Sequence, residues 1–112
     1  MKTLENYTHL EDEQSFNDLL QTEERVAALV YASWCPFCRR FLPFFEQNVR
    51  ESAHFVAVQD NQETVADTYD IEVIPTVLYF EEGQLVKRLD GIPGVGLSEN
   101  LYLKFLQDCL SV

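Results

Sequence analysis

The chain has 112 residues, enough for one compact domain with one core. Apolar residues make up 46% of it, the level of an ordinary globular protein, which argues against disorder. Nineteen acidic against eight basic residues leave a formal net charge of −11, which disfavours nucleic acid or an anionic membrane as partner, because phosphate binding needs clustered cations.

Leu4 to Leu10 reads as a weak first strand. Glu11, Asp12, Glu13 and Ser15 supply helix-start chemistry, and Phe16, Leu19 and Leu20 give the helix an apolar face. The first twenty residues hold no apolar stretch of signal-peptide length, and no run approaches the roughly 20 apolar residues of a membrane span. A soluble, cytoplasmic protein is the expectation. Val26 to Ala32 is short, continuous and apolar, which suits a central strand buried on both faces. A helix is predicted from Pro36 to Arg50, with Phe41, Phe44, Phe45 and Val49 on one face and a kink at Pro43, where a backbone hydrogen bond is lost. The phenylalanines could line an aromatic ligand box, but their spacing is that of a core face.

His54 to Gln59 forms the next strand, followed by a turn at Asp60–Gln62 and a short helix from Glu63 to Tyr69. Val77 to Phe80 is a strand. Glu81–Gln84 carries a hairpin signal, with Gly83 at positive φ, and Leu85 to Leu89 returns as an edge strand guarded by Lys87 and Arg88. Gly91 to Gly96 is a glycine-rich loop that lacks the lysine and the spacing of a phosphate loop. Ser98 or Glu99 opens the last helix, with Leu101, Phe105, Leu106 and Leu110 on its apolar face. The order βαβαβαββα, in a single domain over residues 1–112, predicts an α/β fold. Its mixed central sheet has helices on both faces, right-handed parallel crossovers and an antiparallel hairpin.

Cys35 and Cys38 fall where the buried strand ends and the helix begins. Cys35 is placed to act as N-cap, with Pro36 at the first helical position, where proline's missing N–H costs nothing. The open N–H groups of Phe37 and Cys38 then point back at the Cys35 sulfur and, with the helix dipole, favour a thiolate. Cys38 lies one turn further in, close enough to close a disulfide. A zinc half-site or an inert structural disulfide are the alternatives. Zinc needs four ligands, and Cys109, His9 and His54 are isolated in the chain. Arg39 and Arg40 either raise the local positive potential or occupy a solvated helix face. Cys109 reads as a buried, inert thiol.

Trp34-Cys35-Pro36-Phe37-Cys38 followed by Pro43 resembles the active-site helix of the thioredoxin family, and Ile74-Pro75-Thr76 resembles its cis-proline loop. Gly83 and Gly91 match later turn positions, and the similarity runs from about Tyr7 to Leu110. The resemblance implies a thiol–disulfide oxidoreductase working through a Cys35–Cys38 redox disulfide, with no other cofactor and no metal. Cys35 would be the exposed attacking thiolate and Cys38 the buried resolving thiol. Trp34 would pack beside the site and limit solvent access. With Pro36 and Phe37 it joins Ile74 and a cis Pro75 in binding substrate, the backbone of Ile74 hydrogen-bonding an extended segment. The implied partners are protein disulfides or dithiols and, as electron donor, a reductase or a low-molecular-weight thiol, with the chain acting as a monomer.

Two positions depart from the family pattern. Leu29 stands where thioredoxins usually carry a buried Asp, so Cys38 lacks that carboxylate as a proton acceptor. Pro36-Phe37 replaces Gly-Pro, which predicts a more oxidising couple than the roughly −270 mV of thioredoxin. A glutathione-dependent, glutaredoxin-like reductase is one alternative, although Trp34 is thioredoxin-like and the paired glycines that bind glutathione are missing after Gly83. A non-catalytic interaction module is the other. The stretch from Cys35 to Pro43 also resembles thioredoxin-like accessory proteins of bacterial bacteriocin clusters.

Overall fold

A computed structural model describes residues 6–110, and in it each predicted element forms. Strand β1 (Tyr7–Leu10) is followed by α1 (Glu13–Thr22), β2 (Arg25–Tyr31), α2 (Pro36–Gln47), β3 (His54–Gln59) and α3 (Thr64–Thr68). Then come β4 (Thr76–Glu81), β5 (Gln84–Leu89) and α4 (Glu99–Leu110). Residues 4 and 5 of the predicted first strand lie outside the described residues. The five strands form one sheet in the order β1-β3-β2-β4-β5. β1 and β2 both run parallel to β3, whereas β4 is antiparallel to β2 and β5 to β4.

Alternation along the strands sorts the core into two layers. Ala27, Leu29 and Tyr31 of β2 face one side with Phe55, Ala57, Val77 and Tyr79, covered by Phe41 and Phe45 of α2 and Tyr102 and Leu106 of α4. Val26, Ala28 and Val30 face the other side with Val56, Leu78 and Phe80, covered by Phe16 and Leu20 of α1 and Val65 of α3. This is why β2 reads as an unbroken apolar run: neither of its faces meets water.

The helix starts and turns fall on or next to the residues predicted for them, and Asp60, predicted only as part of a turn, also serves α3. Asp12 caps α1 by accepting the Ser15 amide at 2.7 Å. Asp60 holds the start of α3, its carboxylate accepting the amides of Val65 at 3.0 Å and Ala66 at 2.8 Å. Glu82 (φ 52°) and Gly83 (φ 80°) turn the β4–β5 hairpin, both in the left-handed region that a tight two-residue turn demands. Helix α2 runs through Pro43 but stops at Gln47, short of the predicted Arg50. Asn48 ends it, its amide bonding to the Phe45 carbonyl and its side chain donating to the Phe44 carbonyl at 2.8 Å. On α4 the buried stripe is Tyr102, Phe105, Leu106, Cys109 and Leu110, and Leu101 is exposed. The helical period is satisfied from Tyr102 onward, which turns Leu101 outward.

Candidate active site

The parallel strands carry their C-terminal ends to one edge of the sheet, and β2, at the centre, delivers the cysteine pair there. Cys35 is the N-cap of α2, Pro36 is its first helical residue, and the Cys38 amide donates to Cys35 Sγ at 3.3 Å. The amide of Arg39 bonds to the Cys35 carbonyl at 3.0 Å, starting the helix ladder. The sulfur therefore takes up a donor that helix geometry leaves open. Both cysteines are free thiols in this structure.

Cys38 is fully buried and Cys35 is only 5% exposed. The expected exposed thiolate is thus corrected: Cys35 Sγ tucks toward the loop before β4, 4.0 Å from the Ile74 carbonyl oxygen. The Ile74–Pro75 bond is cis, and this loop crosses the edge beside the sulfur. Burial, reinforced by the hydrogen bond to Cys35, pushes the Cys38 thiol well above the usual thiol range. Leu29 is fully buried in the same apolar cluster as Cys38, and its side chain offers no group that could take up a proton.

Trp34 is 58% exposed, so most of its ring faces solvent. Pro36 is exposed, and Phe37 is half-buried with the Arg40 guanidinium 5.2 Å from its ring centroid. Arg39 donates to the Ser33 carbonyl at 3.2 Å, so both arginines brace the segment around the cysteines. Cys109 is buried on α4, and burial pushes its thiol up to about 11.

Several supporting residues escaped the sequence reading. Asn61, after β3, accepts the Ser33 amide at 2.9 Å and donates to the Ser33 hydroxyl at 3.0 Å, tying the turn before Trp34 to the next strand. The Thr76 hydroxyl donates to the Val73 carbonyl at 2.6 Å and accepts the Gly91 amide at 3.2 Å, joining the cis-proline loop to the segment after β5. Gly96 packs on Phe37, where an added β-carbon would sit 3.0 Å from the Phe37 β-carbon. A glycine-rich stretch was visible in the sequence, but the residue against which it packs was not.

A central strand that presents Cys-x-x-Cys at a helix start, opposite a cis X–Pro bond, defines the class of thioredoxin-fold proteins with a dithiol site. The family model described as Thioredoxin matches residues 7–101, and the chain belongs to the thioredoxin family. It is 31% identical over 97 residues to the thioredoxin of Mycoplasmoides gallisepticum, covering 83% of this chain and 97% of that protein. It is 30% identical over 89 residues to protein disulfide-isomerase A5 of Bos taurus, covering 73% of this chain and 17% of that protein. Among solved structures, thioredoxin f from spinach chloroplast matches with a TM-score of 0.78 at 19% identity, covering 99% of this chain and 100% of that one. Schistosoma mansoni thioredoxin matches at 0.77 and 23% identity, covering 96% and 98%. The expected βαβαβαββα thioredoxin fold is the observed one. Among the described residues, no helix is long and apolar enough to cross a membrane.

Proposed function

We propose that this chain is a protein thiol–disulfide oxidoreductase. The supporting observation is the pairing of a helix-capping sulfur, which accepts the Cys38 amide at 3.3 Å, with a second thiol buried one turn below it. In the reducing direction, Cys35 as thiolate attacks one sulfur of a partner disulfide. The partner's S–S bond breaks, its first thiolate leaves, and a mixed disulfide joins the partner to Cys35. Cys38 then loses its proton to water and attacks Cys35 Sγ. The mixed disulfide breaks, the partner leaves with its second thiolate, and Cys35–Cys38 closes as a disulfide. Two electrons pass to the partner, whose thiolates take up two protons. A reductase or a small thiol returns the pair to its starting state, and the same steps run backwards oxidise a partner dithiol. Trp34, Pro36 and Phe37 would form the contact surface around Cys35, and the backbone of Ile74, beside cis Pro75, would hydrogen-bond an extended partner segment.

Replacing Cys38 by serine tests this reading. The variant should accumulate a mixed disulfide between Cys35 and a disulfide-containing protein, released by a small thiol. Turnover should vanish in both Cys35→Ser and Cys38→Ser. Absence of the trapped species would overturn it. A docking role without chemistry is the second reading, and buried Leu29 favours it because that position offers Cys38 no carboxylate. A docking protein would keep its biological role as Cys35→Ser; an oxidoreductase would lose it.

A further inference from the structure

A line of polar side chains crosses the face of the sheet that α2 covers. Tyr31, the last residue of β2, is 4% exposed and lies in the same buried cluster as Cys38. Its hydroxyl reaches across β3 to the β1 edge, where it hydrogen-bonds with His9 Nε2, and it also meets Gln59 Oε1 at 3.4 Å. His9 stands two positions after Tyr7 and so takes the same face of the sheet, but at its rim, where the imidazole is exposed. The centroids of the two rings lie 6.0 Å apart. On its inner side Tyr31 adjoins the cysteine: the amide of Ala32, the next residue, faces the Cys38 sulfur and favours its thiolate.

Solvent sets the charge of the imidazole, and the tyrosine carries the result inward. A neutral His9 accepts the Tyr31 hydroxyl hydrogen at Nε2. A protonated His9 donates there, so the Tyr31 oxygen becomes the acceptor and its hydrogen turns to Gln59 Oε1, the other acceptor within reach. This leaves a positive charge one phenol ring from the pocket of Cys38, with protein rather than water between them. Among the described residues His9 forms no ion pair that would neutralise it. The other charges that bear on Tyr31 are the carboxylates of Glu11, after β1, and Glu46, on α2, which oppose a thiolate on this face. Glu46 is held by the Tyr7 hydroxyl at 2.7 Å. Arg39 favours a Cys38 thiolate, and Cys35, once tied up in a mixed disulfide, carries no charge against it. Of these side-chain types, histidine is the one that ordinarily changes charge between about pH 5 and pH 8.

Building on the disulfide-exchange reading above, we propose that His9, acting through Tyr31, sets how readily Cys38 ionises for the resolving step. Both are positioning residues: neither takes part in the exchange of bonds, and the Cys38 proton still goes to water. With His9 protonated, its charge favours the Cys38 thiolate and offsets part of the penalty of burial. As pH rises through the imidazole titration this charge is lost, and with it the advantage. Release of the partner should therefore climb less steeply with pH on the acidic side of about pH 7 than above it.

The test mixes the reduced full chain with excess 2-hydroxyethyl disulfide, a neutral probe, and follows the second phase of thiol release, which reports the resolving step, across the acidic and alkaline sides of neutrality. His9→Gln keeps a polar partner for Tyr31 but cannot charge. It should release about threefold more slowly than the natural chain near pH 6, the scale of an interaction with one exposed charge, and equally fast by about pH 8.5. His9→Lys, charged throughout, should keep that threefold advantage over His9→Gln at both pH values. Tyr31→Phe, which lacks the hydroxyl, should follow the His9→Gln profile although His9 is still present. A merely structural role would shift release alike at every pH. A His9→Gln profile parallel to the natural one, or a His9→Lys profile identical to that of His9→Gln, would overturn the coupling and leave the exchange reading standing. No thiol release by the natural chain at any pH would overturn both.

Discussion

A β-carbon added to Gly91 would stand 2.5 Å from the carbonyl oxygen of Pro75, inside any allowed contact. Gly91 thus lets the segment after β5 lie directly on the cis-proline loop, where its amide also reaches the Thr76 hydroxyl. Gly91→Ala should destabilise the fold by about 1–3 kcal/mol, the usual cost of overpacking a close contact. It should also slow exchange by shifting the loop beside Cys35. Denaturant unfolding and exchange rate, measured on the same preparation, check both; an alanine variant with unchanged stability would show that the two segments can part freely.

Leu29 and Cys38 share one buried cluster. Leu29→Asp should therefore speed the resolving step near neutral pH, since a carboxylate there can accept the Cys38 proton. The fold should lose about 3–5 kcal/mol at pH 8, where the new acid is charged and unpaired. Burial would raise the carboxyl's folded pKa above its unfolded value, so the ionisation part of the loss should shrink as pH falls from 8 to 5, while the part due to the lost leucine packing remains. Unfolding curves at the two pH values, with single-turnover release of a mixed disulfide, measure the two effects separately.

Resolution in the natural chain should be strongly pH-dependent. Burial is the main cause of the raised Cys38 pKa, and it persists when Cys35 is tied up in a mixed disulfide. The thiolate fraction of Cys38 then grows about tenfold per pH unit below its pKa, and release of the partner should follow it between about pH 7 and pH 9. Stopped-flow measurement of release supplies the profile. A flat profile would mean that another group takes the proton before the chemical step.

The pair Pro36-Phe37 between the cysteines sets the last expectation. The Cys35–Cys38 couple should lie above roughly −270 mV, the thioredoxin value, and so be more oxidising. Equilibration with glutathione buffers of known ratio, followed by quenching and mass analysis, gives the potential directly. A value at or below that of thioredoxin would show that these two residues leave the thiolate balance unaltered.

The information that local chemistry carries was legible along the chain. The apolar run of β2, the Asp12 cap, the Gly83 turn and the Cys35-Pro36 helix start each depend on neighbours a few residues away, so their pattern alone determined them. Phe41 and Phe45 were placed in the core by periodicity, which distinguishes a buried face from an exposed one without saying what covers it. Only the tertiary structure decided which distant segments meet. It closed Cys35 under the Ile74 loop, where the family resemblance implied an exposed sulfur. It hung Ser33 on Asn61 and seated Gly96 on Phe37. Such meetings are set by strand order and packing across the whole sheet, and a stretch of sequence encodes its own backbone preferences far more directly than the identity of the surface it will touch.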